Sequence, residues 1–247
     1  MPVIDVDLPL RSWTRNVPAE EALGLLDLAV PGRELPDWEA EAESTLSHED
    51  RTYRRTLARL VGRMFLDVQD GIIQESRFLD LLADGPDRRR ADLLAIRYAL
   101  AHLWPLEAAR RLVRPALLSG QDEVPIAAFD EFVRALIEED ASAASRRKTR
   151  STVIGSLVSL GVAQRAAAAT GPVTLLRGRP DPLAFGWALS EQLEGELRAE
   201  CSAAWAVSLS DAAMLFGVTE DYGEACIRAA VAKGLLMGSE GTLALPR

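Results

Sequence analysis

Cysteine and histidine are nearly absent from this chain, with two of each: Cys201, Cys226, His48 and His102. Scattered in this way they make neither a disulfide framework nor a metal-binding spacing, and a reducing cytoplasm fits such usage. Aromatic residues are scarce as well, at 6%. A hydrophobic fraction of 48% with so few rings leaves Ala and Leu to build the core, which favours helices packed on helices. No stretch reaches the length of a membrane span. The opening MPVIDVDLPL lacks the basic start and apolar run of a secretory signal. There is no glycine-rich phosphate loop, nucleophile elbow, metal constellation or paired-carboxylate motif. Catalysis is therefore the least supported class, and the expectation is a non-enzyme with no metal and no cofactor.

Acidic residues are missing from one segment of an otherwise acidic chain. Between Asp140 and Asp181 there is no Asp or Glu, whereas Arg146, Arg147, Lys148, Arg150, Arg165, Arg177 and Arg179 lie there. The segment carries +7 in a chain of net charge −9, so the remainder carries −16. A surface this acidic repels polyanions as a whole, and any contact with nucleic acid has to be local. The first half of the segment reads as a helix. Ser145 or Ser142 caps it, Val153, Ile154, Leu157 and Leu160 make its buried face, and Gly161 stops it. Its cations crowd the first turns, against the helix dipole but in a position to meet a phosphate. The alternative is a solvated basic helix end paired with Glu138, Glu139 and Asp140.

Residues 1–40 hold five prolines and one helix candidate, Pro18 to Ala29, with Trp13 and Trp38 pinning the segment to the body. Ser47-His48-Glu49-Asp50 resembles a capping box, with His48 a surface residue beside it. The helix it opens extends to about Asp70 and buries Leu57, Leu60, Val61, Met64, Phe65 and Val68. Arg51, Arg55, Arg59 and Arg63 repeat every four residues, with Arg54 beside them. This second basic ridge either meets phosphate or pairs with acids of a neighbouring helix. Helices are expected over 72–84, from Arg88 to the break at Trp104-Pro105, over Leu106–Leu118 and over Pro125–Glu139. His102 reads as a packed or surface residue. No alternating strand pattern precedes residue 172.

After Ala166–Ala169 come Gly171-Pro172, a short apolar run Val173–Leu176 and a turn at Gly178-Arg179-Pro180. A helix from Phe185 to Ala199 follows, burying Trp187, Leu189, Leu193 and Leu197. The last forty residues then run helix (Asp211–Phe216), turn, helix (Glu220–Lys233), strand (Leu235–Met237), turn and strand (Thr242–Leu245). That is the order of a winged helix-turn-helix. Glu220, Asp221 and Glu224 open the helix that would enter a DNA groove, against cations at only Arg228 and Lys233. The module is thus either a packing or protein-contact element or, less in keeping with its charge, a DNA reader.

Three runs of residues carry a family resemblance. The first is Arg51-Thr52-Tyr53-Arg54-Arg55-Thr56-Leu57-Ala58-Arg59-Leu60. The second is Leu79–Leu82 with Asp92–Ile96 and Val113-Arg114-Pro115. The third is Ser145-Arg146-Arg147-Lys148-Thr149-Arg150, closing at Leu160-Gly161-Val162. Over about residues 45–165 the chain resembles the BrxA family, a small component of bacterial BREX phage-exclusion systems. The resemblance implies a mainly α fold, a NusB-like helical bundle, and an association with double-stranded DNA and other BREX proteins. The winged-helix-like module is extra to the family pattern.

The expected organisation is a helical bundle over 1–165 and a C-terminal helical, winged-helix-like domain over 166–247. The expected function is a non-catalytic, cytoplasmic, DNA-binding accessory component of a phage-defence system, with no membrane partner. Its phosphate contacts are Arg51, Arg54, Arg55, Arg59, Arg63, Arg146, Arg147, Lys148 and Arg150, which position a protein on duplex DNA without specifying sequence. The alternatives are a protein-interaction adaptor within the defence complex and a winged-helix transcriptional regulator.

Overall fold

A computed structural model describes residues 19–246 except 102, 138–140, 160, 166–170 and 240. Trp13, Pro18, His102, Glu138, Glu139, Asp140, Leu160 and Ala166–Ala169 thus lie outside the described residues. The fold is mainly helical, with small sheets between helices. No helix among the described residues is long and apolar enough to cross a membrane.

Two helices open the described chain, α1 (Ala19–Leu26) and α2 (Leu35–Thr45). Sequence reading found only the first. The second, LPDWEAEAEST, buries just Trp38 and Ala42 and so has almost no apolar periodicity to detect. Trp38 is fully buried, and its indole N–H donates to the Leu25 carbonyl at 3.3 Å.

Helix α3 (Arg51–Phe65) starts at Asp50, whose carboxylate accepts from the Thr52 and Tyr53 amides. It ends at Phe65, short of the expected Asp70. Asp70-Gly71, both at positive φ, forms the two-residue turn of a hairpin between β1 (Val68–Gln69) and β2 (Ile72–Ile73). Asp-Gly next to β-branched residues favours that turn. It turns Val68, expected in the core, into an exposed residue. The expected helix over 72–84 is accordingly β2 followed by α4 (Arg77–Ala83), capped by Ser76.

Helix α5 (Asp87–Ala101) leads into α6 (Leu103–Ala108), a π-helical turn over Ala109–Val113, and α7 (Arg114–Leu118). Pro105 sits inside α6. Strand β3 (Glu123–Val124) precedes α8 (Ile126–Leu136) and α9 (Ala143–Ser159). At the far end of α9, Gly161 has φ +70°, and Val162 N–H donates to Leu157 O, the crossed bonding of a glycine stop.

Strands β4 (Ala163–Gln164) and β5 (Val173–Leu175) follow, and β5 pairs antiparallel with both β3 and β4. The expected division at 165/166 falls between two strands of this one sheet. Strands therefore do precede residue 172, contrary to the sequence reading; each is two residues long and leaves no pattern to read.

Helix α10 (Pro182–Gly195) is capped by Asp181 and buried on almost every side. It packs on α4 and α5 from the first part of the chain. Trp187 meets Phe78 at 5.3 Å between ring centroids, and the Arg97 guanidinium lies over both rings. Burying such a ring contributes about 1.5–3 kcal/mol. The helix was expected to reach Ala199 and to bury Leu197. It stops earlier, and Leu197 takes φ +50° with its side chain 94% exposed.

The chain closes with β6 (Glu200–Ser202), α11 (Ala203–Ser208), α12 (Asp211–Phe216), α13 (Glu220–Ala232), β7 (Met237–Ser239) and β8 (Thr242–Ala244). The expected helix, turn, helix and hairpin are present, with β7 two residues later than the expected strand. Strand β6 and α11 are additions. They complete a three-stranded sheet in the order β6-β8-β7. α13 packs on both α10 and α11, and a single buried cluster runs from Ala22 to Leu243.

Candidate nucleic-acid interface

Helix α8 buries Phe129, Phe132 and Val133. Its opposite face presents Asp130 and Arg134, four residues apart and hence one above the other. Helix α9 packs beside α8 and buries Val153, Ile154 and Leu157 in its second half. Its first turns are left to Arg146, Arg147, Lys148 and Arg150. The Ser142 hydroxyl, one of the two expected caps, accepts from the Ser145 amide at 3.1 Å.

Where the two helices meet, Arg150 Nη1 donates to both oxygens of Asp130, each at 2.8 Å. Asp130, Arg134, Ala143, Arg146, Arg147 and Arg150 line a cavity of about 280 Å³. Arg134, Arg147 and Lys148 have no ion-pair partner among the described residues. Arg165, at the end of β4, reaches α9 further along. Its Nη2 donates to Ser151 O at 2.9 Å and lies across α9 at Gly155, where an added Cβ would come within 3.1 Å of that nitrogen. Four guanidinium groups with one carboxylate make a locally cationic recess on an anionic chain. Planar guanidinium donors suit phosphate oxygens.

The other expected contacts are partly spent elsewhere. On α3, Arg51 pairs with Glu43 at 2.9 Å and Arg59 with Glu39 at 3.4 Å. The hydrogen bond from Arg51 holds the Glu43 carboxyl below its ordinary value. Arg54 donates to His48 O, and His48 itself contacts Glu21 at 3.0 Å. Arg55 and Arg63 stay exposed without an ion pair among the described residues. The acids of α2 thus pair with two of the five arginines of this ridge, Arg51 and Arg59, which is in part the arrangement weighed as its alternative. The principal neighbours of α3 are α1, α2 and α5, whereas those of α9 are α6, α8 and β4. The two basic sets do not form one surface through shared neighbours.

Nor do the seven cations of 141–180 stay together. Arg179 lies over the Tyr222 ring at 5.9 Å, and its carbonyl accepts from Arg88. Arg177 belongs to the same loop, leaving five of the seven on or against α9. On α13, Arg228 contacts Glu224 at 3.5 Å behind Glu220 and Asp221. Sequence reading missed Arg134, because the partner helix that gives it meaning is remote from it in periodicity. Its one signal was the Asp130/Arg134 pair on the polar face of α8.

Comparison of the chain with family models, curated proteins and solved structures finds no match.

Proposed function

We propose that this chain is a non-catalytic accessory protein that holds duplex DNA by its phosphate backbone through the α8–α9 surface. The reading rests on one observation: Arg134, Arg146, Arg147 and Arg150 line a single cavity, with Lys148 and Arg165 close by, in a chain of net charge −9. Cations gathered in this way bind phosphate locally while the acidic remainder keeps polyanions off. The BrxA resemblance, its NusB-type bundle and a setting in a BREX phage-defence complex belong to the same proposal.

The sheet order β6-β8-β7 with three helices before its hairpin supports reading residues 200–244 as a winged helix. We take it as a protein-contact element, since Glu220, Asp221 and Glu224 oppose phosphate at the helix that would read a groove. An adaptor role is the second reading, favoured by the neutralised arginines of α3. A gel shift on duplex DNA separates the possibilities. Arg146→Ala, Arg147→Ala and Lys148→Ala together should abolish the shift, and Arg228→Ala with Lys233→Ala should leave most of it. The reverse pattern would support a regulator, and no shift by the unmodified chain would support the adaptor.

A further inference from the structure

We infer that the cavity between α8 and α9 is a seat for one phosphate monoester, the 5′-phosphate at a DNA end. The inference rests on the DNA-binding reading above and adds which phosphate the site selects. A basic helix face suited only to backbone contacts needs no recess. Here the cations instead line an open recess of about 280 Å³ between the two helices, with the small Ala143 among its lining. At ~30 Å³ for each water displaced, that is room for a phosphate and a few waters. A terminal monoester projects from its strand and can enter. An internal diester is held between two sugars on the convex duplex and meets only the rim.

Charge points the same way. The lining has four guanidinium groups and one carboxylate, a balance of +3. A monoester carries about −1.5 to −2 at neutral pH and offers three acceptor oxygens. A diester carries a single charge. Both oxygens of Asp130 engage one nitrogen of Arg150, which fixes that side chain before any ligand arrives. Arg134 and Arg147, both exposed, supply the donors without an ion-pair partner among the described residues. Lys148 and Arg165 lie outside the lining, on and against α9.

The test uses the full chain and three duplexes of one sequence: 5′-phosphorylated, 5′-hydroxyl, and closed at both ends by hairpin loops. Affinities are read by fluorescence anisotropy. The phosphorylated duplex should bind about tenfold tighter than the other two, the worth of one charge-assisted hydrogen bond. Replacing Arg134 and Arg147 together by Ala should bring that ratio to about one. Arg63→Ala on α3 should preserve the ratio. Equal binding of all three duplexes by the unmodified chain overturns the end seat and leaves the DNA-binding reading standing. No binding to any duplex overturns both. A ratio that survives Arg134→Ala with Arg147→Ala places the selectivity elsewhere and also overturns the inference.

Discussion

Replacing Asp130 by Asn should weaken the fold slightly and strengthen DNA binding, and the opposite signs make this an informative change. Asp130 engages Arg150 through two contacts at 2.8 Å, but its side chain is 40% exposed, so most of the ion-pair energy is screened. The amide keeps one acceptor oxygen for Arg150. The stability loss should be about 0.5–1 kcal/mol, or roughly 1–4 °C in Tm for a chain of this size. Against this, the substitution removes a negative charge from the wall of the cationic cavity. For a phosphate roughly 6 Å away, the repulsion is about 0.7 kcal/mol in a water-like dielectric and about 1.4 at half that value. That corresponds to a gain in affinity of about three- to tenfold at low salt. Differential scanning fluorimetry and anisotropy titrations on one preparation measure both quantities. Weaker DNA binding by the variant would refute the reasoning, because it would mean that Asp130 serves the ligand by orienting Arg150 more than it opposes it by charge.

Other changes test the architecture around this surface. Gly186→Ala sets a Cβ 2.3 Å from the Cβ of Ala230 on α13. Overpacking two helices should cost about 1–3 kcal/mol, more than the ~1 kcal/mol of helix propensity gained, and the urea midpoint should fall. Leu197→Gly should raise stability by about 1 kcal/mol in the same assay, since Leu197 holds φ +50° and buries almost nothing. Burial pushes the Cys226 thiol up to about 12, so thiol reagents at pH 8 should label it only after unfolding. Its contribution to stability is present below the unfolded thiol value of about 8.5 and is lost as pH rises towards 12. A urea midpoint that stayed flat across that alkaline range would contradict it.

Much of the helical skeleton is legible in the residues. α8 and α9 show their buried faces at helical spacing, and Gly161 and Gly234, both at φ +70°, mark where helices stop. α2 was not legible, because a helix that buries one Trp and one Ala and carries three acids towards cations on other segments has no apolar stripe. The two-residue strands β3 and β4 escaped for a related reason: they exist through pairing with the distant β5 and have no local period. The Asp70-Gly71 turn was a readable signal, overridden by reading Val68 into the buried stripe of α3. Charge shows the same division. The basic stretch at 146–150 could be recognised from its lack of acids. Which of its cations face a cavity, and that Glu39 and Glu43 occupy Arg59 and Arg51, depended on tertiary placement.

The claim that phosphate binding is concentrated on the α8–α9 surface is tested most directly by the salt dependence of duplex affinity. The slope of log Kd against log salt should be measured for the unmodified chain and two variants. One carries Ala at Arg146, Arg147, Lys148 and Arg150, and the other carries Ala at Arg51, Arg54, Arg55, Arg59 and Arg63. The first should lose up to about 0.9 of slope for each phosphate contact removed, with its helical circular dichroism intact because Val153, Ile154 and Leu157 still pack. The second should lose less, because Arg51 and Arg59 already answer acids of α2 and only Arg55 and Arg63 stay exposed without an ion pair among the described residues. An unchanged slope in the first variant, with a large loss in the second, would contradict the account and move the DNA to α3.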